Sequence, residues 1–221
     1  MSTPIPIILP FQPQSGLSNF MPVRRSLCRA LAVAVACSAA PLLTLAQQAL
    51  QIKALAERKV SELPAGELFW HIETVESAQD ARAAAGAWSL VVEAAGKAWQ
   101  FTLGPSGTSA SPGATKVAEV GPIRRVSASR YLLRINEASG APGSVTSIHS
   151  HPGSEAFFVL TGEQSIRSAT GTLRVRPGQA EGGQGADRAM QVSSSGTTDL
   201  LALVMFVVDA DRPFSSPATL P

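Results

Sequence analysis

Apolar and polar residues alternate with a period of two over most of this chain, and that alternation predicts short β-strands. Residues 66–75 place Leu68, Trp70 and Ile72 on one face and Phe69, His71 and Glu73 on the other. Residues 88–94 and 97–103 read as a hairpin turning at Ala95-Gly96, with Trp88, Leu90 and Val92 sharing a face. Further strands are predicted at 115–120, 130–137, 144–151, 155–161, 164–168, 172–176, 190–194 and 199–208, most of them separated by turn signals such as Gly121-Pro122, Pro152-Gly153 and Pro177-Gly178. Two segments read differently: residues 49–61 suit a short helix ended before Pro64, and Ser77 can cap an alanine-rich helix that stops at Gly86. Residues 104–114 (GPSGTSASPGA) form a surface loop by composition, with nothing in them that can pack. Repeated short strands with no helical pattern between the later ones predict an all-β sandwich or barrel and argue against a parallel α/β sheet.

Charge changes the picture at the N-terminus. Arg24, Arg25 and Arg29 precede an apolar run from Ala30 to Ala46, and no acid occurs before Glu57. A basic segment, an apolar stretch and small residues at a cleavage point are the layout of an export signal. Thr44-Leu45-Ala46 is an acceptable cleavage site, Met21 is a candidate for the true start, and Val23-Arg24-Arg25-Ser26-Leu27 loosely resembles a twin-arginine signal. Cys37 after Ala34-Val35-Ala36 has the look of a lipoprotein box, but the residues that follow stay apolar. Without residues 1–46 the chain keeps 15 basic and 16 acidic residues, a net charge of −1. The mature protein is therefore expected to be periplasmic or secreted, without a membrane span, and without a basic surface to attract nucleic acid. Cys28 and Cys37 both fall in the leader, which excludes disulfides, thiol catalysis and cysteine metal ligands from the mature domain.

The chemistry concentrates in GSVTSIHSHPGSEAFFVLTGE, residues 143–163. His149 and His151 are two apart and share a face on a strand. Pro152-Gly153 turns the chain, and Glu155 opens the next strand, where it can point back at both imidazoles. Two imidazoles and a carboxylate make a nitrogen and oxygen set suited to Zn, Mn, Fe, Ni or Cu. Phe157 and Val159 follow Glu155 on its face as candidates for a pocket wall, while Phe158 and Leu160 would pack on the other layer. His71 reads as a surface or partly packed side chain beside Trp70. Arg134 and Asn136 share a face beside the motif from which they could reach the pocket, but they are expected to point to solvent because Leu133 and Ile135 supply the opposite, apolar face.

Gly143, His149, His151, Glu155 and Gly162 satisfy every spacing of G(X)5HXH(X)3-4E(X)6G, and in this the chain resembles the first motif of the cupins. The resemblance covers roughly residues 126–210. It implies an antiparallel jelly-roll β-barrel, here with short N-terminal helices and extra N-terminal strands. The cupin second motif, G(X)5PXG(X)2H(X)3N, is degenerate. Pro177-Gly178 resembles its opening turn, but no histidine follows; Met190 stands in the histidine's place and Ser194 in the asparagine's. A thioether is a soft, weak donor that suits copper or simply lines a pocket.

The expected organisation is a leader over 1–46, a helix and strands extending the barrel over 47–125, and a barrel core over 126–214. Beside an interaction protein with a vestigial pocket, two functions stay open. One is an exported metal-dependent cupin enzyme of oxygenase, isomerase or lyase type, using His149, His151 and Glu155 with Met190. The other is a metal-free cupin that binds a small molecule without converting it. A homodimer is the default for such barrels.

Overall fold

The computed structural model describes residues 48–221, apart from Ser109. The expected leader, with Met21, the paired arginines and both cysteines, lies outside the described residues. Three antiparallel sheets are stacked. The middle one contains β1 (Gln51–Val60), β6 (Tyr131–Gly140), β8 (Gly153–Thr161), β11 (Ala180–Gly182) and β13 (Leu200–Asp209), in the order β1-β6-β13-β8-β11. One outer sheet contains β7 (His149–Ser150), β9 (Gln164–Ser168), β10 (Gly171–Val175), β12 (Met190–Ser194) and β14 (Ser216–Pro217), in the order β10-β9-β12-β7-β14. The other outer sheet is built from β2 (Leu68–Val75), β3 (Ser89–Ala94), β4 (Lys97–Gly104) and β5 (Ala114–Ile123), in the order β3-β4-β2-β5. The architecture is thus an all-β jelly-roll barrel of two facing sheets, with the N-terminal strands stacked as a third layer on its outside. Among the described residues no helix is long and apolar enough to cross a membrane.

This layering explains the sequence of β13. LLALVMFVVD is apolar almost throughout because the strand is buried on both faces. Leu203, Met205 and Val207 face the N-terminal sheet and join Leu68, Trp70, Ile72 and Phe101 in one core. Ala202, Val204, Phe206 and Val208 face the second barrel sheet and join Ile166, Met190 and Val192 in another. Phe158 packs on the N-terminal layer, its ring edge-on to Trp99 at a centroid distance of 5.6 Å. Truncating it to Ala would remove a large buried side chain, a change that typically costs about 3–5 kcal/mol.

Several expectations meet their counterparts closely. The hairpin of β3 and β4 turns at Ala95 and Gly96, both at positive φ. Ser77 caps α1 (Ala78–Ala84), its side chain accepting from the Asp80 amide. The helix expected over 49–61 is not formed: the segment is strand β1, laddered onto β6 from Gln51 opposite Ser139 to Val60 opposite Tyr131. Ala, Leu, Glu and Lys favour a helix locally, but such a short helix is marginal, whereas the edge of β6 offers a row of backbone groups to satisfy. A bulge between Ala54 and Ala56 shifts the facing of the strand, which is why its apolar residues do not show a plain period of two. β1 therefore joins the barrel, although the segment reads as lying before it.

The 104–114 connection is a loop between strands, as expected, but it is tied to the protein by polar bonds. Its Pro105 carbonyl lies 2.9 Å from His71 Nε2, and Ser111 donates to Glu73 through both its amide (3.0 Å) and its hydroxyl (2.8 Å). Ser106 donates to Glu119 at 2.7 Å. His71 is accordingly buried, with Nδ1 3.3 Å from Glu119 Oε2, and is far from an ordinary surface side chain.

Candidate ligand cavity

Register places the inward side chains of the barrel in tiers. Glu155, Phe206 and Arg134 are cross-strand neighbours on β8, β13 and β6. Phe157, Val204 and Asn136 form the next tier, and Val159, Ala202 and Ala138 the one beyond. His149 and His151 close the first tier from the opposite sheet, and Phe214 of the C-terminal segment lies over them. The first two tiers, with Ala138 of the third, line a cavity of about 460 Å³, within the range of small-molecule sites.

The structure brings His149, His151, Glu155 and Phe157 together on this cavity. Val159 is packed wholly within the core and does not reach the cavity surface. Met190 sits opposite His149 in the ladder but is buried among Ile166 and Val192 and likewise is not on the cavity surface. Arg134 and Asn136, expected in solvent, line the cavity. The reason is that β6 is covered on both faces. Leu133 and Ile135 meet the N-terminal layer, so the polar face turns into the barrel. Arg134 Nε donates to Asn136 Oδ1 at 2.7 Å, and its guanidinium carbon lies 4.2 Å from the Phe214 ring centroid. Asn136 is fully buried.

Both imidazoles are oriented by backbone carbonyls. His151 Nδ1 lies 2.7 Å from the Phe214 oxygen and His149 Nδ1 lies 2.9 Å from the Ser147 oxygen. A carbonyl can only accept, so each Nδ1 carries a hydrogen and each Nε2 is left free of that bond. Burial holds His151 neutral, its pKa pushed down to about 4 against the opposing bond to Phe214. Burial also keeps Glu155 protonated, its pKa pushed up to about 8 despite a backbone contact from Gln184. The two groups stand 4.0 Å apart, His151 Nε2 to Glu155 Oε2. Gly183 permits this packing: a Cβ there would lie 2.5 Å from Phe157 Cε2 and 2.6 Å from Glu155 Cγ. The cavity thus presents an acid hydrogen and two imidazole Nε2 atoms to whatever enters it.

The donor types would suit a borderline transition metal, but their arrangement does not. Among the described residues no three imidazole, thiol or carboxylate groups converge as a metal site. No step through a metal is derived from this geometry.

Sequence reading also passed over Gln164, Phe206 and Phe214. Gln164 carried a signal: it shares the inward face of β9 with Ile166, where a buried polar residue interrupts an apolar pattern.

No protein-family model matches the chain, and no curated protein matches it. Among solved structures it is similar to a cupin superfamily protein from Desulfitobacterium hafniense, at 19% identity over 35% of this chain and 68% of that one, with a TM-score of 0.32. It is also similar to the polyketide cyclase RemF from Streptomyces resistomycificus, at 20% identity over 40% of this chain and 62% of that one, TM-score 0.34. A third is a double-stranded β-helix protein from Klebsiella pneumoniae, at 17% identity over 39% of this chain and 75% of that one, TM-score 0.34.

Proposed function

We propose that this protein is an exported, cupin-like barrel that binds a small organic molecule in the cavity between its two barrel sheets. The observation that carries the reading is the cavity itself: apolar walls from Phe157, Val204 and Phe206, with unpaired polar atoms of His149, His151 and Glu155 facing inward. Such a site holds the apolar body of a ligand by burial and orients it with a few hydrogen bonds. Glu155 donates to a ligand oxygen or nitrogen, and the imidazole Nε2 atoms accept from a ligand N–H or O–H. Export is supported by the basic and then apolar N-terminus. A mature chain starting at Gln47, read by N-terminal sequencing of the secreted or periplasmic protein, checks it.

The cavity is tested by thermal shift against a panel of metabolites, in parallel with a His149→Ala, His151→Ala double variant. Ligands that stabilise the native protein and lose their effect in a folded double variant are expected. Equal shifts in both proteins would sink the reading.

A metal-assisted reading has one observation in its favour: anchoring Nδ1 on a carbonyl while Nε2 faces a cavity is how ligating imidazoles are held. Metal analysis of protein purified without a histidine tag decides it. A stoichiometric transition metal that disappears in the double variant would establish it.

A further inference from the structure

We propose that the end of the cavity at Gln164 is a subsite for a neutral carboxamide-like group, a primary amide or lactam that presents a carbonyl oxygen beside an N–H. The proposal rests on the reading of the cavity as a ligand site, and adds the chemistry of one end of the ligand and the direction in which it lies.

Six buried side-chain atoms among the described residues have no hydrogen-bond partner in the protein, and four of them gather at this end. They are Gln164 Nε2 and Oε1, Ser144 Oγ and Ser194 Oγ. Gln164 is wholly buried and lines the cavity. Ser194 stands directly opposite it in the ladder of β12 and β9, and the Ser144 carbonyl accepts from the Ser194 amide at 2.9 Å. The backbone here is already paired on both sides of β9, so the side chain of Gln164 is not needed to hold the strand. Buried polar groups are bonded with few exceptions, and a carboxamide with both its polar atoms unpaired is unfavourable in a core. Selection for stability alone favours an apolar side chain at such a position, as at Ile166 two residues on.

The chemistry of the missing partner follows from the group. A carboxamide offers a donor and an acceptor side by side in one plane, and its complement offers an acceptor and a donor with the same spacing. A primary amide or lactam does so through two antiparallel hydrogen bonds. A carboxylate does not fit, because it would leave water without meeting a cation. The charge-bearing side chains that line the cavity, Arg134 and Glu155, lie with the histidines at the other end. That end is distant. From Met190, opposite His149, to Ser194, opposite Gln164, is four residues of strand, about 13 Å. Val192, Val204 and Phe157 lie between the two poles. The ligand therefore has an amide at one end, an apolar middle, and its second polar group among His149, His151 and Glu155.

The test is calorimetric titration of the wild-type protein and Gln164→Leu with 5-phenylvaleramide, its N,N-dimethyl amide and 5-phenylvalerate. Wild type should bind the primary amide about tenfold more tightly than the other two, the effect of one well-made buried hydrogen bond or more. Gln164→Leu should bind all three alike, and without ligand it should melt no lower than wild type, because an unpaired buried amide has been replaced by an apolar side chain. If wild type binds the three equally and Gln164→Leu changes nothing, the subsite is overturned while the cavity stands as a ligand site. A lower melting temperature for unliganded Gln164→Leu overturns the subsite as well, since the amide would then be bonded within the fold. Failure of both proteins to bind any of the three overturns the proposal; if the metabolite panel also gives no shift, the reading beneath it falls too.

Discussion

Two glutamates in this protein are almost equally buried and have opposite surroundings. Glu73, on the outer face of the N-terminal sheet, is 2% exposed and receives two hydrogen bonds from Ser111 of the 104–114 loop. Glu155, inside the barrel, is 3% exposed and receives only a 3.4 Å contact from the Gln184 amide. The same contrast holds around them. Pro105 and Ser106 of the loop meet His71 and Glu119, whereas His149, His151, Glu155 and Gln164 line the cavity. A polar interior that the chain closes on itself serves the fold; one left open is available to a ligand. The difference lies in the partners and not in the burial.

The sharpest way to break the comparison is to delete each carboxylate. Glu73→Ala removes two buried hydrogen bonds and leaves the Ser111 donors without their acceptor, and should destabilise the protein by about 3 kcal/mol in urea unfolding. Glu155→Gln should not destabilise it at neutral pH, because the group it replaces is already neutral and weakly bonded. Equal losses from both would erase the distinction.

A pH series extends the test. Folded, Glu155 keeps its proton up to about pH 8, against 4.5 for an ordinary glutamate, so the folded state holds more protons than the unfolded state across that window. Stability contributed in this way is complete below about 4.5 and is lost as pH rises towards 8. His151 works the other way, because its folded pKa of about 4 lies below the usual 6.5 and its contribution grows as pH rises between those values. The two slopes oppose one another up to pH 6.5, and only that of Glu155 remains above it. Unfolding free energy should therefore fall by about 2 kcal/mol from pH 6.5 to 8, at about 1.4 kcal/mol per unit. Glu155→Gln should flatten the fall. A native curve already flat over that interval would show that the carboxyl is ionised and partnered.

The legibility of these two interiors in the sequence differed for physical reasons. The histidines, Glu155 and the turn at Gly162 were readable because their spacing on paired strands is a local matter, and Gly162 turns at a φ of +72° as that reading requires. Arg134 and Asn136 were assigned to solvent by the rule that polar faces point outward. The rule fails when a strand is covered on both sides and one cover is a binding cavity. Strand β1 was misread because helix propensity is written in the segment itself, while the β6 edge that overrides it lies some eighty residues away. The loop over Glu73 looked empty for a related reason. Serine and proline offer little to pack, but they supply hydrogen-bond donors and carbonyls, and their value appears only beside a buried acceptor or imidazole.

Arg134 measures how far the open interior depends on its ligand. Its bond to Asn136 and its stacking on Phe214 are both partly exposed to the cavity. Arg134→Met keeps the apolar stem and should lower stability by only about 1 kcal/mol in thermal unfolding. The same variant should weaken binding of any compound with an anionic group at the histidine end by about tenfold in calorimetry, a far larger proportional effect. Loss of fold without any change in affinity would mean that Arg134 is structural and belongs with the closed interior.

The smallest effect expected lies at the rim of the closed interior. Lys116 Nζ is 2.6 Å from Glu119 Oε2, and this bond, with that from Ser106, holds the Glu119 carboxyl well below the usual carboxylate range. Such a depressed group contributes stability at pH above 4.5 that is lost as acid is added. Much of the Lys116 side chain is in solvent, however, and exposed ion pairs contribute little once water screens them. Lys116→Ala should therefore change unfolding free energy by less than about 0.5 kcal/mol at pH 7, and should leave the loop as resistant to proteolysis as before. The closure over the sheet would then rest on the buried bonds between Ser111 and Glu73. If Lys116→Ala opens the loop as readily as Glu73→Ala does, the closed interior is held at its surface, and burial of its hydrogen bonds is not what separates it from the cavity.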